Sequence, residues 1–228
     1  MFEVLLIDLD DTILDFHKAE RVAVEKTLAS IGIAPTQEVC TRYSRINQEH
    51  WERLERKELT REQVLVGRFA VLFEQLGIIA DAVQTAQRYG ENLGVGHYFL
   101  PGAREALEDL FGKYRMYIVS NGTAKVQAGR LESANIRHFF EDIFISQNLG
   151  VNKPDRRFFE ACFAQIPDCA LDRTMIVGDS LTSDILGGKN AGVATCWVNP
   201  RHKDAPDELC PDYEIESLAQ LPALLETL

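Results

Sequence analysis

Cysteine is scarce in this chain and follows no pattern. The 228 residues include five cysteines, Cys40, Cys162, Cys169, Cys196 and Cys210, an odd number with no Cys-x-x-Cys pair. That spacing argues against a zinc site and against a disulfide framework, so free thiols in a reducing compartment are expected. The five histidines (His17, His50, His97, His138, His202) also lack metal-ligand spacing. No apolar stretch approaches the ~18 residues that mark a bilayer-spanning helix, and no membrane partner is expected. The start of the chain lacks the basic segment and cleavage site of a signal peptide and enters a strand-like segment containing Glu3 and Asp8. A cytoplasmic protein is the expectation. Basic runs are missing as well, with 24 Lys+Arg against 35 Asp+Glu and a formal net charge of -11. No nucleic-acid polymer is therefore expected as a partner. A small anionic substrate stays open, because a local cluster of metal, lysine and backbone donors can overcome the global field.

What is present begins with a strand-like apolar run that ends in carboxylates, Val4-Leu5-Leu6-Ile7-Asp8-Leu9-Asp10-Asp11-Thr12. Val4–Leu9 reads as a strand buried on both faces, as in the centre of a parallel sheet. Strand side chains alternate faces, so Asp8 and Asp10 are expected to point the same way at its carboxyl end, where open α/β sheets place ligands. Two carboxylates there suit either a hard divalent cation or paired nucleophile and acid/base roles; a plain polar turn is the alternative.

Beyond Thr12 the pattern becomes helical. Helices are expected over His17–Ser30, Thr36–Lys57, a stretch opened by the capping signal Thr60-Arg61-Glu62-Gln63 and stopped by Gly77, and Asp81–Leu93. From Pro101 onward, helices and short apolar strands alternate. Strands are expected at Arg115–Ser120, Asp142–Ser146, Thr174–Gly178 and Val193–Val198, with helices at Pro101–Gly112, Thr123–Ala134, Asp155–Gln165, Thr182–Asn190 and Ser217–Thr227. Such alternation implies βαβ units and a parallel sheet. The expected fold class is α/β: a Rossmann-like parallel sheet core with helices on both faces, residues 1–14 and 98–228, and an all-helical cap inserted at 15–97.

Parallel strands deliver their carboxyl ends to one crevice, so three further strand ends matter. Ser120-Asn121-Gly122 offers a hydroxyl, an amide and a flexible turn suited to phosphate oxygens. Asn152-Lys153-Pro154 places a lysine in an extended segment before a helix. Gly178-Asp179-Ser180-Leu181-Thr182-Ser183-Asp184 sets two carboxylates around a strand-to-helix turn that could complete a magnesium site. Each segment alone is as readily an ordinary turn or helix start.

In their order, Asp-x-Asp-x-Thr, Ser-Asn-Gly, Lys-Pro and Gly-Asp-x-x-x-x-Asp, the four segments resemble the haloacid dehalogenase-like hydrolase superfamily. They resemble in particular its phosphatases with a helical cap inserted after the first motif. Gly67-Arg68-Phe69, Gly150-Val151-Asn152-Lys153-Pro154 and the run Gly187–Asn199 look like bacterial pyrimidine 5′-nucleotidases of the house-cleaning type.

The resemblance implies a magnesium-dependent phosphomonoester hydrolase. Asp8 matches the nucleophile, Asp10 the general acid/base, and Thr12 the residue that positions it. Ser120, with the backbone N–H of Asn121 or Gly122, would bind phosphoryl oxygens, and Lys153 would hold Asp8 and the phosphoryl group together. Mg2+ would be held by Asp8, the carbonyl of Asp10 and Asp179, with Asp184 direct or through water. The substrate implied is a small phosphorylated metabolite, a nucleoside monophosphate by subgroup; phosphoglycolate and sugar phosphates are alternatives. Phe16 and His17 would lie at the hinge or pocket edge. Trp51 and Arg68 are candidates for base stacking and substrate binding, against a core aromatic and a solvated arginine. Competing readings are a phosphosugar mutase, a 2-haloacid dehalogenase (which looks different at Asp10), a phospho-acceptor signalling domain and an inactive homologue. Oligomeric state is not legible.

Overall fold

A computed structural model describes the chain over residues 1–228. Its centre is a six-stranded sheet built from β1 (Val4–Ile7), β2 (Arg115–Ser120), β3 (Asp142–Ile145), β4 (Thr174–Gly178), β5 (Ala194–Val198) and β6 (Tyr213–Ile215), in the order β3-β2-β1-β4-β5-β6. All five pairings are parallel. The apolar run of β1 is explained by this position: it lies between β2 and β4, and all four of its residues are buried. Strand order reverses direction beside β1, so the crevice for ligands opens at its carboxyl end.

The strand is shorter than the apolar run suggested. Ile7 pairs with both Ile118 and Val177, and Asp8 adds one more bond, from its N–H to the Val177 carbonyl at 2.9 Å. Beyond it the chain turns. Asp10 bridges Leu14, and Asp11 takes a left-handed conformation with φ 56°. Asp10 thus lies beyond the regular strand and is half-buried where Asp8 is buried.

The chain divides into two compact units. One comprises Met1–Phe16, His97–Ala124 and Ala134–Leu228, and contains the sheet. Its helices are α5 (Ala103–Leu110), α7 (Ser146–Leu149), α8 (Arg156–Phe163), α9 (Leu186–Ala191) and α10 (Leu221–Glu226). One face of the sheet packs Leu6, Val119, Phe144 and Ile176 against Phe158, Phe159 and Cys162 of α8. Each such fully buried side chain contributes about 1.5–3 kcal/mol. The run beginning Gly187-Gly188 follows from close packing. A Cβ on Gly188 would lie 2.5 Å from Ile176 and 2.7 Å from Thr195, and one on Gly187 would lie 2.7 Å from the Phe159 ring.

The expected helix over Thr182–Asn190 is two structures. Leu181–Ile185 is a wide turn with i→i+5 bonding, Ile185 N–H to the Ser180 carbonyl at 3.1 Å, before α9 begins. Such wide turns recur at functional sites. The strand β6 and helix α7 lie outside the sequence expectation. Tyr213–Ile215 is three residues at a sheet edge, too short for a pattern.

The second unit comprises His17–Gly96 and Lys125–Ser133 and is helical. It holds most of α1 (Phe16–Ser30), then α2 (Gln37–Glu55), α3 (Arg61–Leu76), α4 (Ala82–Gly94) and nearly all of α6 (Ala124–Ser133). Helix starts follow the caps read from sequence. Thr36 accepts from Val39 N–H, Thr60 and Gln63 form a reciprocal capping box, and Asp81 accepts from Gln84 N–H. Residues 125–133, expected with the sheet, group with the helices because α6 lies tight on the end of α4. A Cβ on Gly129 would meet the Gly94 carbonyl at 2.7 Å, and buried Arg130 donates to the Gly96 carbonyl at 3.0 Å. No helix is long and apolar enough to cross a membrane.

Candidate active site

Three strand ends and one loop converge beside β1. Lys153, in the loop between α7 and α8, is only 1% exposed. Its ammonium donates to Asp8 Oδ1 at 2.7 Å, Asp184 Oδ1 at 2.6 Å and the Val119 carbonyl at 2.8 Å. An ammonium has three hydrogens, so this donor set is complete.

Asp184 reaches the group because the turn after β4 is wide and residue 178 is glycine. A Cβ at Gly178 would lie 2.2 Å from Asp184 Oδ2, closer than any contact allows. That oxygen accepts instead from Ser180 N–H at 3.1 Å. Asp179 follows directly on β4, and its carbonyl accepts from the Trp197 indole N–H at 2.8 Å. Trp197 pairs with Gly178 across β4 and β5, so the indole fixes the backbone of Asp179 from the neighbouring strand.

The electrostatics are unbalanced. Oxygens from Asp8, Asp179 and Asp184 lie within 4.8 Å of one another, and Lys153 is the cation that pairs with Asp8 and Asp184. Burial pushes the Asp8 carboxyl up to about 8; Asp184 and Asp10 add to the rise, and Lys153 opposes it. Asp179 is raised well above the carboxylate range, by burial first and then by Asp8 and Asp184. Burial alone would lower Lys153, but Asp184 and Asp8 outweigh it, so the ammonium is held charged. Three oxygen donors in excess of positive charge fit a hard divalent cation such as magnesium, which takes carboxylates and keeps waters. The Asp10 side chain lies outside this carboxylate group.

The remaining motif residues are placed as follows. Ser120 is buried at the end of β2, and its hydroxyl accepts from Gly122 N–H at 3.1 Å. The Asn121 side chain is engaged with the backbone of Lys153 through both its oxygen and its nitrogen. Thr12 is fully buried and its hydroxyl has no hydrogen-bond partner. The expected bond from Thr12 to Asp10 is thus absent. An orphaned hydroxyl of this kind costs about 1–3 kcal/mol. Asp11, to which the sequence assigned nothing, accepts from Phe16 N–H at 2.9 Å and so caps α1.

Four further residues were candidates for substrate contact. Phe16, half-buried, opens α1 in the sheet unit. His17 is exposed in the helical unit and lines a cleft of about 420 Å³ with Glu20, Arg21, Gln37, Cys40 and Ser44. Trp51 is partly exposed, with the Arg61 guanidinium 5.7 Å from its ring. Arg68 is neither on a solvated face nor an open arm. It is 4% exposed, donates to Asn47 Oδ1 at 2.6 Å, and lies 4.7 Å from the Tyr89 ring centre. Asn47 in turn donates to buried Glu20 at 2.6 Å, so Arg68 belongs to a polar brace inside the helical unit.

Residues 5–198 match the family described as haloacid dehalogenase-like hydrolase. The chain belongs to this family. It is 38% identical to a HAD-hydrolase of Bacillus subtilis strain 168, YfnB, over 98% of this chain and 95% of that protein. The crystal structure of YfnB, bound to magnesium and described as revealing interdomain movement, superposes with a TM-score of 0.93 and covers 98% of both chains. The pyrimidine 5′-nucleotidase PynA of Streptococcus pneumoniae is 37% identical over 96% of this chain and 93% of its own length. The pyrimidine 5′-nucleotidase YjjG of Escherichia coli K12 is 30% identical over 97% and 96%. The protein is thus a hydrolase of this family, built on its α/β fold.

Proposed function

We propose that this hydrolase is a magnesium-dependent phosphomonoesterase that works through an aspartyl-phosphate and takes pyrimidine nucleoside 5′-monophosphates. The observation that carries the chemistry is the buried Lys153 ammonium joining Asp8 to Asp184, with Asp179 beside them. The substrate class is supported by the two nucleotidase relatives.

In the first step a carboxylate oxygen of Asp8 attacks phosphorus. The Asp8 O–P bond forms, the bond from phosphorus to the nucleoside 5′ oxygen breaks, and Asp10 gives that oxygen its proton. In the second step water attacks the same phosphorus, Asp10 takes a proton from it, and the Asp8 O–P bond breaks to release phosphate. Splitting one displacement in two lowers each barrier, and proton transfer from a positioned acid is worth roughly 10²–10⁴-fold. Lys153 keeps Asp8 directed and offsets the repulsion between two approaching anions. Ser120, with the backbone N–H of Asn121 or Gly122, binds the phosphoryl oxygens. Asp8, Asp179 and Asp184, with the Asp10 carbonyl, would hold magnesium, whose charge offsets that of the phosphate brought against Asp8.

Two measurements test this reading. Hydrolysis of p-nitrophenyl phosphate should require magnesium and stop in EDTA; a stable phosphoprotein without turnover would instead favour a phospho-acceptor. Comparison of kcat/KM across nucleoside monophosphates, phosphoglycolate and sugar phosphates should rank uridine or thymidine monophosphate first. Purine nucleotides or sugar phosphates ahead by tenfold would overturn the substrate class and leave the phosphatase chemistry standing. Phe16, His17 and Trp51 belong to the same proposal as substrate contacts. Alanine at each should raise KM for uridine monophosphate and leave p-nitrophenyl phosphate turnover unchanged.

A further inference from the structure

The side chain of Asn121 is set against the backbone of a residue 32 positions away. Its Oδ1 accepts from Lys153 N–H at 2.9 Å, and its Nδ2 donates to the Lys153 carbonyl, also at 2.9 Å. The same Nδ2 lies 3.4 Å from Ser183 Oγ, in the wide turn that carries Asp184. A carboxamide bonded to both polar groups of one residue fixes where that residue sits and how it is turned. The fixed residue is the one whose ammonium meets Asp8, Asp184 and the Val119 carbonyl.

Lysine has a long, flexible stem, and its charge is useful only where the backbone presents it. The loop holding Lys153 belongs to no strand, so the sheet ladder does not position it. We propose that Asn121 is a positioning residue: its carboxamide clamps the backbone of Lys153 and thereby aims the ammonium at Asp8 and Asp184. The proposal rests on the phosphatase reading of the site, because only that reading gives the aim of Lys153 a consequence for rate.

Asn121→Ala removes the clamp and keeps the backbone N–H. Loss of a residue that orients a functional group typically costs about 10–100-fold. That loss is expected in kcat for p-nitrophenyl phosphate, with KM changed less than about threefold, since the carboxamide is taken up by the Lys153 backbone. Asn121→Asp keeps the acceptor but sets a charged oxygen against the Lys153 carbonyl beside carboxylates already in excess, so it should fall at least as far as Asn121→Ala; an unchanged circular dichroism spectrum of Asn121→Ala guards against a folding defect. Reductive methylation followed by mass spectrometry should show Lys153 modified faster in Asn121→Ala, with the other lysines unchanged. The deciding measurement is the double variant. Added to Lys153→Met, Asn121→Ala should cost less than about twofold, because a residue that acts through Lys153 has nothing left to aim. A silent Asn121→Ala, or one whose cost is undiminished beside a crippled Lys153→Met, overturns this proposal alone. A fully active Lys153→Met would overturn the reading of the site, and this proposal with it.

Discussion

Replacing Lys153 with methionine keeps the stem and deletes the charge, leaving Asp8, Asp179 and Asp184 close together without the ammonium that pairs with Asp8 and Asp184. Lys153 and Asp184 are each 1% exposed and Asp8 is 7% exposed, so solvent cannot take over the role. Removing one partner of a buried ion pair costs roughly 3–5 kcal/mol. For a chain of this size each kcal/mol moves Tm by about 2–4 °C, so a fall of about 6–20 °C is expected in EDTA at pH 8. The fall should shrink at pH 5, where Asp8 and Asp179, both raised by burial, protonate and repulsion is relieved. Magnesium should restore much of the loss at pH 8, since a bound cation replaces the missing charge. Adding Asp184→Asn to Lys153→Met should recover part of the stability, with a coupling of about 0.5–3 kcal/mol for residues in contact. The assay is thermal unfolding of wild type, Lys153→Met, Asp184→Asn and the double variant, with EDTA and with magnesium. A loss below about 1 kcal/mol at pH 8 in EDTA, roughly 2–4 °C, would refute the account of Lys153 as the counter-charge.

Asp8→Asn should abolish turnover of every substrate, while Asp10→Asn should lose about 10²–10⁴-fold on nucleotides and less on p-nitrophenyl phosphate, whose leaving group needs no proton. The phosphoenzyme should then accumulate on the peptide containing Asp8 after acid quench, and equal loss for both leaving groups without it would remove Asp10 as the acid/base. Gly178→Ala should displace Asp184, because the new methyl would lie 2.2 Å from its carboxylate; magnesium titration should show weakened binding, and unchanged affinity and rate would contradict the packing argument. In metal-free protein the folded state holds a proton on Asp8 up to about pH 8, whereas an ordinary carboxyl releases it near 3.8. The folded form therefore binds more protons between those values, and this contribution to stability falls as pH rises through that window and then levels. Denaturant midpoints in EDTA should show the slope, and Asp8→Asn should flatten it; identical slopes would exclude Asp8 as its source.

Local physics explains why much of this molecule can be read in order along the chain. Helix starts are chosen within a few residues, so Thr36, Thr60 with Gln63, and Asp81 mark α2, α3 and α4 directly. The strands Arg115–Ser120 and Thr174–Gly178 have the expected bounds, because continuous apolar runs suit a sheet covered on both faces. Edges are less legible. Tyr213–Ile215 has three residues and one covering partner, and the turn at Leu181–Ile185 differs from an α-turn by a single hydrogen-bond step.

The order of the segments containing Asp8, Ser120, Lys153 and Asp179 is a property of the sequence, and with it the family, since parallel strands carry their ends to one side whatever the details. Which atoms meet there is decided only in three dimensions. Lys153 and Asp8 are 145 residues apart, and nothing local tells that the ammonium also takes Asp184 and a strand carbonyl. Thr12 and Arg68 make the same point from the other side. A threonine spaced to reach Asp10 is buried without a partner, and an arginine suited to solvent or ligand is sealed among Tyr43, Phe69 and Tyr89. Spacing along a chain sets which residues can share a strand end or a helix face; direction, burial and partner come from contacts between segments far apart in sequence, where the free energy of folding is collected.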